Sequence, residues 1–235
     1  MKVFVYVEGR SDAEALRALW QVWMEQCRGH GVGFEFLSLG GKGKLLKQIG
    51  HRAAEKLAGS SNDLVVALPD LYPTRDYEGT QYAHRNLKEL ADLQRRLVRQ
   101  GLNGQGVREG EKESYLSRFY ASALKHDLEM LLLAGESYLG EFLHEKGNLG
   151  KWRKPVEEQN QARPPKVVVS DIFRAKHPKR HAYRDTIHAP QILRRASDDL
   201  PSILLDKRGR DQCPVFRAML DWVGERIAIP AYATP

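Results

Sequence analysis

Along the first 125 residues, short runs of consecutive apolar residues alternate with longer stretches in which apolar positions recur every three or four residues. Val3, Phe4, Val5, Tyr6 and Val7 make the first run, the pattern of a strand covered on both faces. Ser11 or Asp12 can then cap a helix over residues 12–27, with Leu16, Leu19, Trp20 and Trp23 at helical spacing as its core side. A second strand is predicted over 34–39, where FEFLSL alternates apolar and polar residues. Gly40, Gly41 and Gly43 form a turn into the helical stretch KLLKQIGHRAAEKLA, and DLVVALPD, ending at Pro69 and Asp70, is the third strand. A loop rich in Pro, Thr and Gly precedes the helical HRNLKELADLQRRLVRQ; RFYASAL suggests a fourth strand and HDLEMLLLAG a helix after it. This order predicts an α/β fold, a mostly parallel central sheet with helices on both faces.

The pattern changes near residue 147. Residues 147–166 are rich in Gly, Pro, Gln and Asn and read as a long connection. SDIFRAKH, APQILRRAS and CPVFRAMLDWVGERI follow as helices separated by prolines. The expected organisation is an α/β domain over 1–146 and a basic, mainly helical C-terminal extension over 147–235 packed on it. The 235 residues suffice for one large domain with an appendage, and 42% hydrophobic with 29% charged residues is an ordinary globular composition. The N-terminal apolar run is too short for a signal peptide core and is broken by Glu8, so the cytoplasm is the expected compartment and no membrane partner is expected. Cys27 and Cys213 stand far apart without a CxxC pattern, which argues against a zinc site made by cysteines alone.

Charge sharpens this picture. The net charge is +7, and residues 147–195 hold twelve Lys and Arg against four Asp and Glu, leaving the rest close to neutral. Lys151, Trp152, Arg153, Lys176, Lys179 and Arg180 are the candidates for gripping a nucleic acid, with Trp152 suited to stacking on a base or ribose. A solvated charged face is the other reading of the same run. His177 and His181 flank Pro178, which spoils a helical pair, and fall in with the basic surface.

The acids suggest chemistry. Glu8 with Asp12 beyond it, Asp70, and Asp127 with Glu129 beside His126 all follow strand-like runs, at the edge where open α/β sheets bind ligands. Carboxylates gathered there call for a cation or a proton between them, and hard cations such as Mg²⁺ or Mn²⁺ take oxygen ligands. Glu8, Asp12, Asp70, Asp127 and Glu129 are therefore the candidate metal ligands, and Glu8, Asp70 and His126 the candidate catalytic residues. His126 and Glu129 are expected one helical turn apart. Each acid also has a structural reading: Asp12 can simply cap the first helix, and Glu129 can face solvent. GGKGK over 40–44 lacks the Walker spacing and the Ser or Thr after the lysine. Its role is a tight turn, or a turn whose Lys42 and Lys44 hold a substrate phosphate.

These residues also carry a resemblance. VYVEGRSDAEAL, a first strand ending in Glu-Gly with an acid four residues on, resembles the first motif of Toprim domains of the OLD nuclease type; LGGKGK is similar to those sequences, and Asp70 in VVALPD falls where Toprim proteins place the first acid of an Asp-x-Asp motif. HDLEMLLLA and HAPQIL...CPVFRAMLDWV resemble a bacterial Toprim-like domain of unknown function over nearly the whole chain. The resemblance implies a Toprim-like fold, a Mg²⁺- or Mn²⁺-dependent nuclease acting on DNA or RNA, and an ATPase partner in defence against phage. Where the pattern has its second aspartate this chain has Tyr72, so the centre needs Asp76, or Asp127 and Glu129, to complete it. The alternative is a non-catalytic nucleic-acid-binding or adaptor subunit that keeps the fold with a degenerate site. DLYPT also resembles the Asp-x-Asp-x-Thr pattern of aspartyl phosphatases, again without its second aspartate. Homo-oligomer and monomer both stay open.

Overall fold

The protein is described by a computed structural model in which residues 1–177 and 181–232 are placed. In chain order the elements are β1 (Lys2–Val7), α1 (Arg10–Leu19), α2 (Gln21–Gly29), β2 (Gly33–Ser38), α3 (Lys42–Gly59), β3 (Leu64–Leu68), α4 (Leu87–Gly104), α5 (Lys112–Leu116) and β4 (Phe119–Ala121). They continue with α6 (Glu129–Ala134), α7 (Glu136–Leu143), α8 (Pro165–Lys176), α9 (Asp185–Arg194), α10 (Leu200–Leu204) and α11 (Pro214–Ile227). The helix expected over 12–27 begins earlier, at Arg10, and is interrupted at Trp20. Its early start has a local cause: the Asp12 side chain accepts the Gly9 N–H at 2.8 Å, closing the first turn.

The chain divides into two compact units, Met1–Ala13 with Gln26–Lys125, and Glu14–Glu25 with His126–Pro235. The division falls after Lys125, where the sequence pattern placed it after residue 146. In the first unit the sheet has the order β2-β1-β3-β4 and is parallel throughout. The α/β reading with a parallel sheet therefore holds. β1 is central, with Val3 paired to Phe34 on one side and to Leu64 on the other. Phe4, Tyr6, Val65, Ala67 and Phe119 share a core with Leu45, Leu46 and Ile49 of α3 and Leu90, Leu93 and Val98 of α4. Val3, Val5, Val7, Val66 and Leu68, which point to the opposite face, are buried as well, explaining the unbroken apolar runs.

The second unit is helical and has its own core. α6, almost wholly buried, packs with α7, α8, α9 and α10. Trp20 and Trp23 lie edge to face, Trp20 also meets Phe216 of α11, and the Trp23 indole N–H donates to the Ile229 carbonyl. The connection over 147–166 is largely irregular but firmly held, because Glu157 is fully buried and accepts the Val215 and Phe216 N–H groups at 2.9 and 3.0 Å, capping α11. Among the described residues, no helix is long and apolar enough to cross a membrane.

Candidate functional site

β1 ends at Val7, so Glu8 is delivered to the C-terminal edge of the sheet beside Asp70, which follows neighbouring β3. One Glu8 carboxylate oxygen accepts the Asp70 N–H at 2.8 Å, and the carboxylate also accepts the N–H of Lys42, the first residue of α3. The glycine turn makes this possible. Gly40 and Gly41 have φ of 79° and 107°, and both donate their N–H to the Glu8 carbonyl at 2.8 Å. Those two amides are thus engaged within the turn, which is the tight-turn arrangement. Asp70 is half-buried, and its backbone bridges to Leu124 in parallel register.

The Lys42 ammonium is the surprise of this edge. Lys42 is only 6% exposed and donates to the Leu71 and Pro73 carbonyls at 2.7 and 2.9 Å, with the Tyr77 ring 5.0 Å away. Burial pulls it down to about 8, while Glu8, Asp70 and Asp76, in that order, hold its charge in place. Burial raises Glu8 above the usual carboxylate range, against the pull of the Asp70 amide and of Lys42. The edge is therefore a balanced group of Glu8, Asp70, Asp76 and Lys42. Asp12 closes the first turn of α1 and its charge adds to the rise in Glu8, and Lys44 is exposed in the first turn of α3.

His126, Asp127 and Glu129 belong to the second unit. α6 begins only at Glu129, so His126 precedes the helix and the expected helical pairing is not formed; the strand pairing continues as far as Leu124, leaving too little chain for another turn. His126 and Glu129 are buried. Burial pushes Glu129 up to about 7, reinforced by Asp127 and opposed by Lys166. Burial likewise pushes Asp127 up to about 6, although it accepts the Lys166 N–H at 3.0 Å. The Lys166 side chain bonds Asp185 at 2.7 Å and lies 4.0 Å from Glu129. Burial, followed by Glu129, raises the Tyr183 hydroxyl far above its ordinary range. Lys166 and Asp185 belong to no motif, and Tyr183 reads in the sequence only as an aromatic of the basic segment, not as a neighbour of Glu129.

Of the expected nucleic-acid contacts, Lys151 and Arg153 are exposed and Trp152 is half-buried, with Lys154 over its ring at 5.9 Å. Lys176 pairs with Glu145 at 3.7 Å. Lys179 and Arg180 lie outside the described residues. His177 and His181 stack with ring centroids 5.2 Å apart, a contact that sequence spacing around Pro178 did not suggest.

Among the described residues, no three His, Cys, Asp or Glu side chains gather to hold a metal ion. Magnesium, however, is commonly bound by one or two carboxylates with water and substrate oxygens completing its shell. Glu8 and Asp70 are the carboxylates at this edge that would supply such a shell, and both act electrostatically on Lys42. No protein-family model, curated protein or solved structure matches this chain.

Proposed function

We propose that this chain is a Mg²⁺- or Mn²⁺-dependent phosphodiester hydrolase of Toprim type, acting on DNA or RNA through Glu8 and Asp70. The observation that carries this reading is the pair of half-buried carboxylates at the ends of adjacent parallel strands, of which Glu8 is raised in pKa by desolvation. The bound ion would neutralise charge on the scissile phosphate and lower the pKa of its water. Glu8 and Asp70 would hold it. Glu8, oriented by the Asp70 and Lys42 amides, is also the group suited to exchange a proton. Lys44, at the N-terminal turn of α3, meets the approaching phosphate with positive charge. The Toprim resemblance adds an ATPase partner in phage defence to this proposal.

A second reading is favoured by one specific observation. Lys42 already supplies positive charge amid Glu8, Asp70 and Asp76, which suits an adaptor that keeps the sheet edge without a metal. The test is incubation of the purified protein with plasmid DNA and with total tRNA, in Mg²⁺, Mn²⁺ or chelator, beside Glu8→Ala. Metal-dependent cleavage that disappears in Glu8→Ala, with the circular dichroism spectrum retained, is expected. Cleavage undiminished in that variant rejects Glu8 as catalytic, and absence of Mg²⁺ or Mn²⁺ binding in a calorimetric titration favours the adaptor.

A further inference from the structure

The second unit contains a cleft of about 960 Å³ between the start of α7, the segment after it and the end of α10. Its wall includes Leu149, Leu205 and Gln212, with Lys146, Lys207 and Arg208 around it. The loop over 206–210 is tightly organised for its length. Leu205 and Asp211 bridge in antiparallel register, Asp206 and Arg210 close the turn through the backbone, and Gly209 takes φ 73°. The Asp206 carboxylate accepts the Arg208 and Arg210 N–H groups at 2.8 and 2.9 Å and is paired by the Arg210 guanidinium at 2.6 Å. Asp206 and Arg210 thus neutralise one another, and the loop presents Lys207 and Arg208, both exposed, as uncompensated charge. Neither they nor Lys146 has an ion pair among the described residues.

Gln212 supplies the second observation. It is 3% exposed, and its side-chain oxygen Oε1 is buried without a hydrogen-bond partner. A buried acceptor left without a hydrogen bond is costly, so native structures normally provide a donor. Gln212 lines the cleft, and a ligand's N–H would serve once a turn of the side chain brings Oε1 to the cleft surface. The carboxylates that also line the cleft, Glu136, Glu145 and Asp206, are paired with Lys154, Lys176 and Arg210. The three cations without ion pairs, the apolar Leu149 and Leu205 and one buried acceptor are therefore what the cleft offers a small ligand.

We propose that this cleft binds a nucleoside phosphate unit, with the phosphate on Lys146, Lys207 and Arg208 and an N–H of the base on Gln212 Oε1. The unit can come from a free mononucleotide or from a residue within a single strand, and the test separates the two. Isothermal titration is done in chelator, so that no cleavage can intervene, with AMP, UMP, inorganic phosphate and an oligonucleotide of about a dozen residues. Binding of either nucleotide probe is expected, weakened at least about tenfold in Lys207→Ala/Arg208→Ala, where both changed residues are exposed and carry no internal ion pair. Gln212→Met should weaken the nucleotides while leaving inorganic phosphate unaffected. Mononucleotide binding identifies a free nucleotide as sufficient, and binding of the oligonucleotide alone identifies the strand. Absence of nucleotide binding, or equal affinity in wild type and the double variant, overturns the proposal whatever the outcome of the cleavage assay.

Discussion

A single side chain can change meaning entirely with its surroundings, and Lys42 is the example here. In the sequence it is one of two lysines in a glycine turn, suited to a phosphate. In the structure its ammonium is buried and bonded to two carbonyls, so its work is to tie the Asp70 loop to the start of α3. Glu129 is another. With 3% exposure it is no solvent-facing acid, and its carboxyl is pushed from 4.5 to about 7. The native chain then holds a proton that the unfolded chain has already released between those values, so this contribution to stability is lost as pH rises through the window. The urea midpoint is expected to fall between pH 4.5 and pH 7 more steeply in wild type than in Glu129→Gln, whose amide does not titrate. Equal slopes in the two proteins would show that Glu129 is not the titrating group.

At the scale of elements, α3 and α4 cross where Gly50 meets Gly101. A Cβ on Gly101 would lie 2.0 Å from the Gly50 carbonyl oxygen and 2.6 Å from its carbon, both backbone atoms of α3. Gly101→Ala therefore forces the helices apart and is expected to lower stability by about 1–3 kcal/mol in urea unfolding. Gly104→Ala, in open space on the same helix, is the control and should cost nothing. Undiminished stability in Gly101→Ala would mean that the helices separate freely. Sequence periodicity located both helices because their buried positions repeat within one segment, as Leu90 and Leu93 do in α4. It did not locate the crossing, since a glycine in a helix looks the same whether it faces a helix or solvent. Glu157 was overlooked for the same reason: its value as a cap depends on α11, whose first residues lie 58 positions away.

For the whole molecule, positive charge concentrated in 147–195 pointed to polyanions, yet much of that charge is used internally. Lys154, Arg163, Lys166, Arg174 and Lys176 of that segment pair with Glu136, Asp171, Asp185 or Glu145. Binding of a single strand is therefore expected to depend on salt only as a few contacts require. Three phosphate contacts give a slope of log K against log salt of about −2, whereas twelve would give about −8. Fluorescence anisotropy across a salt series measures it. A slope near the larger value would mean that the segment grips the strand along its length and that the internal ion pairs open on binding.

What the sequence by itself determined is what repeats over short distances: the four parallel strands, the helices between them, and Glu8 and Asp70 at strand ends, because an apolar run and its terminating acid are neighbours in the chain. What only the tertiary structure decided is which charges are buried and what faces them. It placed Lys42 among Glu8, Asp70 and Asp76, assembled Asp127, Glu129, Lys166, Asp185 and Tyr183, divided the chain after Lys125, and left the Gln212 oxygen without a donor. The physical reason is that the cost of burying a charge or a polar atom is set by groups that meet only after folding.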